Sequence, residues 1–473
     1  TARFHFRTTE IRRNGEQPVQ SNQRSSLLGH RLTRRDSLQV GFSGFVGLGL
    51  NQALAGRTSA ESRTANGRVK SVVMVFLTGA PSHQDMWDLK PEGPSSTRGE
   101  YRPVSTNVSG VEIGPHMPGL AKLADKYAII RSMRHSLPSH EHGTHRMLTG
   151  INENPPGSTH MVSRNDWPCF SAGVQYLRPS PDGTPRGIML PTYLNNGYGF
   201  CGQHAGFLGA DFDPWHVIKD PNNKNFRVDE LTFSPGLSVP RVTDRRRLLE
   251  SIDAQRQELG DNAAVGDLSR RMQQAHDILV DGKLRESFDI ASEPKENRDR
   301  YGRHQFGQSM LLTRRLIESE MPVVQVNVGR MNNWDTHNNN FKRLQNQLLP
   351  SFDQGLSTFV DDLDQRGLLE QTLIVVSGEF GRTPKINRNA GRDHWSRVYS
   401  AVVIGGGIKG GQTIGASDAM ASDPVTRAYY PADIGATIYS ALGIDPASQV
   451  IDRLGRPHQL NAGEVIAPLY GSA

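Results

Sequence analysis

Two short runs of β-branched residues constrain this chain most: Val323–Val328 (VVQVNV) and Leu373–Val376 (LIVV). Near-continuous apolar runs of this length read as strands of a parallel sheet covered on both faces. Each passes directly into side chains that bind metals or move protons. Asp335 and His337 follow the first, and Glu379, Arg382 and His394 follow the second. Between them, Phe352, Leu356, Phe359, Val360 and Leu363 recur at helical spacing, so strand, helix and strand form one parallel βαβ unit. Ligands of open α/β sheets lie beyond the carboxyl ends of the strands, which puts both clusters on one rim and points to a metal-dependent hydrolase site.

The same pattern recurs near residue 72, where VVMVFL gives way to TGAPSHQDMWD and brings Asp85 toward that rim. The densest histidine region is SLPSHEHGTHRMLTG, residues 136–150. Pro138 before Ser139 suits a helix start with Ser139 as its cap, and Gly150 suits its end. A helix start of this kind offers free N–H groups and a positive dipole end to a phosphate or sulfate oxygen. No cysteine stands here, which excludes a zinc knuckle, so His140 or His142 is assigned to metal or substrate. Further strands are expected at 128–131 and 401–404, and further helices at 120–127, 243–291, 305–318 and 431–442. Residues 151–240 are rich in Pro, Gly and Asn and read as loops over the site. The triplet Gly405-Gly406-Gly407 lacks the spacing of a nucleotide loop and reads as a turn.

The 473 residues, 36% hydrophobic and 22% charged, describe a globular protein with one α/β core and insertions. The net charge of +6 does not indicate nucleic-acid binding. Residues 1–70 hold 12 Lys/Arg against 4 Asp/Glu, which leaves 42 against 44 for the rest. Cys169 and Cys201 are consistent with one disulfide or with two buried thiols.

Residues 1–68 read as a disordered leader and linker. Arg34-Arg35 precede a weakly apolar run from Val40 to Leu50 and Ala53-Leu54-Ala55, as in a twin-arginine export signal, although Ser37 stands where an aromatic is usual. The run is too short and glycine-rich for a stable membrane span. The expectation is recognition by the twin-arginine export machinery, a periplasmic or extracellular location, and a functional domain over 69–473.

The TGAPSHQDMWD loop, HEHGTHRMLTG, YGRHQFGQSMLLTRRLIE, NWDTHNNNF, SGEFGRTPKI with GRDHW, and YYPADIGATIYSALG together resemble the family of unknown function numbered 1501, within the alkaline phosphatase and sulfatase superfamily. The resemblance spans residues 72–443. It implies an alkaline-phosphatase-like three-layer α/β sandwich, a mostly parallel central sheet with helices on both faces, and one or two metals at the strand ends. On that pattern Asp85 is similar to the early Asp, Asp335 and His337 to the paired ligands, Glu379 to the later acid and His394 to the last histidine. The position about nine residues before Thr149-Gly150, where a serine, threonine or cysteine nucleophile is expected, is His140. Ser139 and Thr144 are the neighbouring hydroxyls, and the Cys/Ser-x-Pro-x-Arg sulfatase signature is missing.

The resemblance therefore implies an exported hydrolase of phosphate or sulfate esters acting on an anionic small molecule or carbohydrate ester. Its divalent metal would be zinc first, with calcium or magnesium as alternatives. Asp85, Asp335, His337, Glu379 and His394 would hold metal, Arg382 would clamp the anion, and His140, His142 or Ser139 would supply ligand, acid or nucleophile. The alternative is a non-catalytic binding or scaffold protein that keeps the fold without the nucleophile.

Overall fold

The computed structural model describes residues 69–152, 162–181, 184–195, 199–228, 231, 282–329 and 333–471. The leader and most of the expected 243–291 helical region lie outside these. Eight strands form the central sheet. In chain order they are β1 (Ser71–Leu77), β2 (Tyr127–Met133), β3 (Gly187–Leu190), β4 (Trp215–His216), β5 (Val323–Val328), β6 (Thr372–Ser377), β7 (Tyr399–Gly405) and β8 (Gln412–Ile414). Their spatial order is β8-β2-β7-β6-β1-β5-β3-β4.

Strand β1 lies between β5 and β6 and is parallel to both, with Val72 opposite Val323 on one side and Leu373 on the other. The two runs that define the βαβ unit are thus separated by the first strand of the domain. Only β7 reverses, running antiparallel to β2 and β6. This reversal matters for the site. The carboxyl ends of β1, β2, β5 and β6 share one rim, and the segment entering β7 starts from it.

Alternation along β1 sorts the two cores. Val73, Val75 and Leu77 face Leu312, Leu316, Leu356 and Phe359 on one side, while Val72, Met74 and Phe76 face Met147, Phe170, Ile434 and Ile438 on the other. The first group belongs to helices on one face, and the second to α1 (His140–Thr149), α2 (Phe170–Leu177) and a helix at Pro431–Ala441. The fold is a three-layer α/β sandwich. Helices α3 (Gln305–Glu318) and α4 (Leu349–Gln365) pack on the first face. The C-terminal helix, α5, opens with Pro431 at its first turn and a reciprocal bond pair between Tyr430 and Asp433. Among the described residues no helix is long and apolar enough to cross a membrane.

Two expectations change. The 151–240 stretch is not all loop, because it contributes α2, β3 and β4. Each is eight residues or fewer, and β3 is a four-residue run stopped by Pro191, too short to carry a periodic signal. The expected 120–127 helix divides into Pro118–Ala121 and a single turn at Ala124–Lys126, since Tyr127 already belongs to β2. Cys169 and Cys201 are two separate buried thiols.

Phe352 on α4 stacks with Phe306 at 5.9 Å and meets Trp334 edge-on at 5.6 Å, directly beside the loop carrying Asp335. Phe352→Ala should lower stability by about 3–5 kcal/mol, read as a fall in the midpoint of denaturant unfolding.

Candidate metal centre

The turn after β1 builds the back of the site. Gly79 and Ala80 both have positive φ, 103° and 61°, a conformation glycine adopts without strain and alanine only under constraint. The amides of both point at Glu379, with Gly79 N at 2.9 Å from Oε1 and Ala80 N at 3.0 Å from Oε2. Such a nest of N–H groups cradles the carboxylate from behind. The carbonyls of the same two residues receive the Arg382 guanidinium, Nε donating to Ala80 O at 2.7 Å and Nη2 to Gly79 O. Arg382 is fully buried, and its Nη1 lies 2.5 Å from Asp335 Oδ1.

Three imidazoles then converge on Asp335. His140, on α1, has Nδ1 2.6 Å from Glu379 Oε1 and Nε2 3.2 Å from Asp335 Oδ2. His337 has Nδ1 2.7 Å from Asp393 Oδ1 and Nε2 3.1 Å from Asp335 Oδ1. His394 has Nδ1 3.0 Å from the Pro138 carbonyl and Nε2 3.4 Å from Asp335 Oδ1. Carboxylates and carbonyls only accept, so each Nδ1 donates; a charged His140 donates from Nε2 to Asp335 as well, and in a ring that keeps only its Nδ1 proton Nε2 turns its lone pair inward. His337 Nε2 and His394 Nε2 are 3.1 Å apart. Lone pairs facing each other and a carboxylate repel unless a cation, a proton or a metal ion, lies between them.

The packing fixes this arrangement. Phe380 stacks on His140 at 5.2 Å and meets His394 at 4.9 Å. Helix α1 can approach because Gly143 has no side chain: a Cβ there would stand 3.0 Å from both Glu379 Cβ and Phe380 Cδ1. Arg343 pins the loop of Asp335 through the carbonyls of Asp335 and Asn333, at 2.8 and 2.7 Å. His394 reaches the rim on a two-residue pairing with Gly381-Arg382, just before β7 begins.

The electrostatics follow. Burial opposes a charge on His140, but hydrogen bonds to Asp335 and Glu379 outweigh it and raise its pKa to about 9. Burial likewise opposes a charged Asp335, yet hydrogen bonds from His140 and His394 and the charge of Arg382 hold it well below the usual carboxylate range.

The donors of His140, Asp335 and His394 lie within 4.8 Å of one another and form the group of this kind found among the described residues. Two ligand atoms sharing a tetrahedral ion at about 2.0–2.1 Å from each stand roughly 3.3 Å apart. His140 Nε2 stands 3.2 Å from Oδ2 of Asp335, and His337 and His394 Nε2 stand 3.1 and 3.4 Å from Oδ1, each close to that spacing, and nitrogen with oxygen is a donor set suited to zinc.

Other expected residues are placed differently. Asp85 sits in a separate buried pair, with Arg392 Nε at 2.8 Å, Ser82 Oγ at 2.5 Å and Asn340 Nδ2 at 2.8 Å on one oxygen. It is not among the donors that gather at Asp335, which are those of His140 and His394. Glu379 stands behind His140, turning its ring. Arg382 has its donors on Asp335 and three backbone carbonyls, those of Gly79, Ala80 and Arg392, so it fixes the carboxylate and has no fork left for an anion. Ser139 starts α1 and its Oγ donates to Glu141 Oε2 at 2.7 Å; His142 Nδ1 is 3.2 Å from the same hydroxyl. Asp393, Arg392 and the Gly79-Ala80 amides escaped the sequence reading. For Asp393 a signal existed, a carboxylate adjoining a histidine in GRDHW.

A model of the family described as "Protein of unknown function (DUF1501)" matches residues 69–470. No curated protein matches the sequence. Among solved structures, the PsFucS1 sulfatase from Pseudoalteromonas sp. is 12% identical, with a TM-score of 0.35, 83% of this chain covered and 70% of that one. An alkaline phosphatase superfamily protein from Vibrio parahaemolyticus is 12% identical at a TM-score of 0.37, covering 80% and 68%. The phosphonate monoester hydrolase SpPMH from Silicibacter pomeroyi is 12% identical at 0.37, covering 85% and 77%.

In protein stripped of metal, the raised pKa of His140 contributes stability that is complete below its ordinary value of 6.5 and is lost as pH rises through about 9. The melting temperature should therefore fall over that interval, and His140→Gln should flatten the fall; an unchanged slope in the variant refutes the pairing. Arg392→Ala leaves Asp85 charged and unpaired in the interior, a loss of about 3–5 kcal/mol measurable by denaturant unfolding.

Proposed function

Because this chain belongs to the DUF1501 family, with residues 69–470 matched, and carries this cluster at the strand ends, we propose that it is an exported, metal-dependent hydrolase of phosphate or sulfate esters. The observation that carries the reading is the common orientation of His140, His337 and His394. Each is anchored through Nδ1 and offers Nε2 to the Asp335 carboxylate. This is how histidines that ligate metal are held.

In this reading Asp335, His140 and His394 hold the ion, with His337 beside them. Zinc fits the donors best; calcium and magnesium favour oxygen-rich sites. A bound divalent ion polarises the ester oxygen, stabilises the leaving group and lowers the pKa of water toward ~7. The protein's own groups do the rest. Glu379 and Asp393 fix the rings of His140 and His337, and Arg382 fixes Asp335. The positive dipole end of α1 faces an anionic ester from beside Ser139. His142, half-buried next to Ser139, is the imidazole assigned to exchange a proton with substrate. With His140 at the usual nucleophile position, attack by water replaces a covalent serine step. Export rests on the Arg34-Arg35 leader and gives a periplasmic or extracellular location.

The test is metal content of the purified full chain by mass spectrometry, then turnover of aryl sulfates and aryl phosphates with and without chelator. His394→Ala should lose the bound ion. Asp393→Asn should reduce activity or metal affinity by about 10–100-fold. A metal-free protein with no turnover on either ester class, after zinc is added, overturns the proposal and leaves a scaffold role.

A further inference from the structure

Two loops bring side chains to the rim, one carrying Asp335 and His337 and the other Asp393 and His394, and the backbones of the two are tied together. Asn339 N donates to Asn389 O at 3.0 Å, Asn340 N to Ala390 O at 2.9 Å, and Arg392 N to Thr336 O at 3.0 Å. Gly391 marks a close approach, since a Cβ there would stand 1.9 Å from the His337 carbonyl oxygen. Asn387 adds a side-chain tie, its Nδ2 donating to His337 O at 3.0 Å and to Asp393 Oδ1 at 3.1 Å.

Beneath them Thr336, Asn340, Asp85 and Arg392, all fully buried, close a ring of hydrogen bonds. Thr336 Oγ1 donates to Asn340 Oδ1 at 2.6 Å, Asn340 Nδ2 to Asp85 Oδ2 at 2.8 Å, and Arg392 Nε to the same carboxylate oxygen at 2.8 Å. The Arg392 amide on the Thr336 carbonyl completes the circuit. Its polarity is forced. A carboxylate only accepts, so the Asn340 amide turns its nitrogen to Asp85 and its oxygen to Thr336, and the threonine hydroxyl has to donate. A buried ion pair is sustained only when its other hydrogen bonds are met, so loss of one member unsettles the rest. Arg392 extends the hold into its own loop and beyond, with Nη1 donating to Thr383 O at 3.1 Å and Nη2 to Thr97 O at 2.8 Å.

We propose that Thr336 and Asn340 are positioning residues for the Asp335 centre, an inference that rests on reading that group as a metal site. Thr336 stands between Asp335 and His337, and Arg392 stands two residues before His394. The ring therefore sets the spacing of the two loops, and with it the 3.1 Å between His337 Nε2 and His394 Nε2. Neither residue touches the ion or the substrate; each acts through the backbone that carries the ligands. Asp85 serves the same end, holding Arg392 and Asn340 on one oxygen.

The test compares Thr336→Val, which keeps the shape and loses the hydroxyl, with Thr336→Ser, which keeps the hydroxyl, both in the full chain. In metal-free protein the imidazole NMR signals of His337 and His394, assigned with His337→Gln and His394→Gln, should move in Thr336→Val and stay at their wild-type positions in Thr336→Ser. The signal of His458, on the hairpin of Gln449–Ile451 with Pro457–Gln459, should stay in place throughout. Cobalt(II) affinity should fall about tenfold in Thr336→Val and return in Thr336→Ser. Thr336→Ala removes the hydroxyl without the branch and gives the same reading if circular dichroism shows that valine disturbs the fold. The imidazole signals need no metal, so a wild type that takes up no cobalt refutes the Asp335 centre while the signals still decide this inference. Unmoved His337 and His394 signals in Thr336→Val, or equal movement in Thr336→Ser, overturn it, as does unchanged cobalt affinity in Thr336→Val.

Discussion

Two residues at the end of β1, Gly79 and Ala80, turn their amides to Glu379 and their carbonyls to Arg382, so one short turn grips an acid and a base together. Everything at the rim descends from that grip. Glu379 fixes the ring of His140, Arg382 fixes the carboxylate of Asp335, and His140 then bridges the two. The positive φ of both turn residues is the geometric condition, since it aims consecutive N–H groups the same way. Tertiary packing enforces it, because alanine does not choose that region unaided.

The sheet explains how distant segments meet there. Parallel strands deliver Gly79, His140, Asp335 and Glu379 from their carboxyl ends, whereas His394 arrives from the amino end of a reversed strand, β7. One antiparallel strand in an otherwise parallel set thus lets the last histidine join the others without a crossover helix.

Much of this was legible in the chain. VVQVNV and the Gln305–Glu318 helix have the same bounds in the structure as in the sequence, because strong periodicity or an unbroken apolar run defines them. The histidines and acids at the strand ends were legible for the same reason, as polar side chains that interrupt buried runs. What escaped were features set by contacts between segments. Asp85 looks like any loop acid until Arg392, about three hundred residues away, is seen to pair with it. The Pro138 carbonyl that orients His394 has no sequence signature at all. Strands β3 and β4 are too short for alternation to show, and only the pairing of β3 to β5 and of β4 to β3 makes them strands.

The anchors that orient the histidines also set the electrical character of the cleft. Asp335, Glu379 and Asp393 bring three carboxylates to it and Arg382 a guanidinium, and His140, its pKa raised to about 9, adds a second positive charge. The acidic excess that remains favours a cation over an anion at the Asp335 group. An anion therefore enters this cleft only where a cation has first offset the carboxylates.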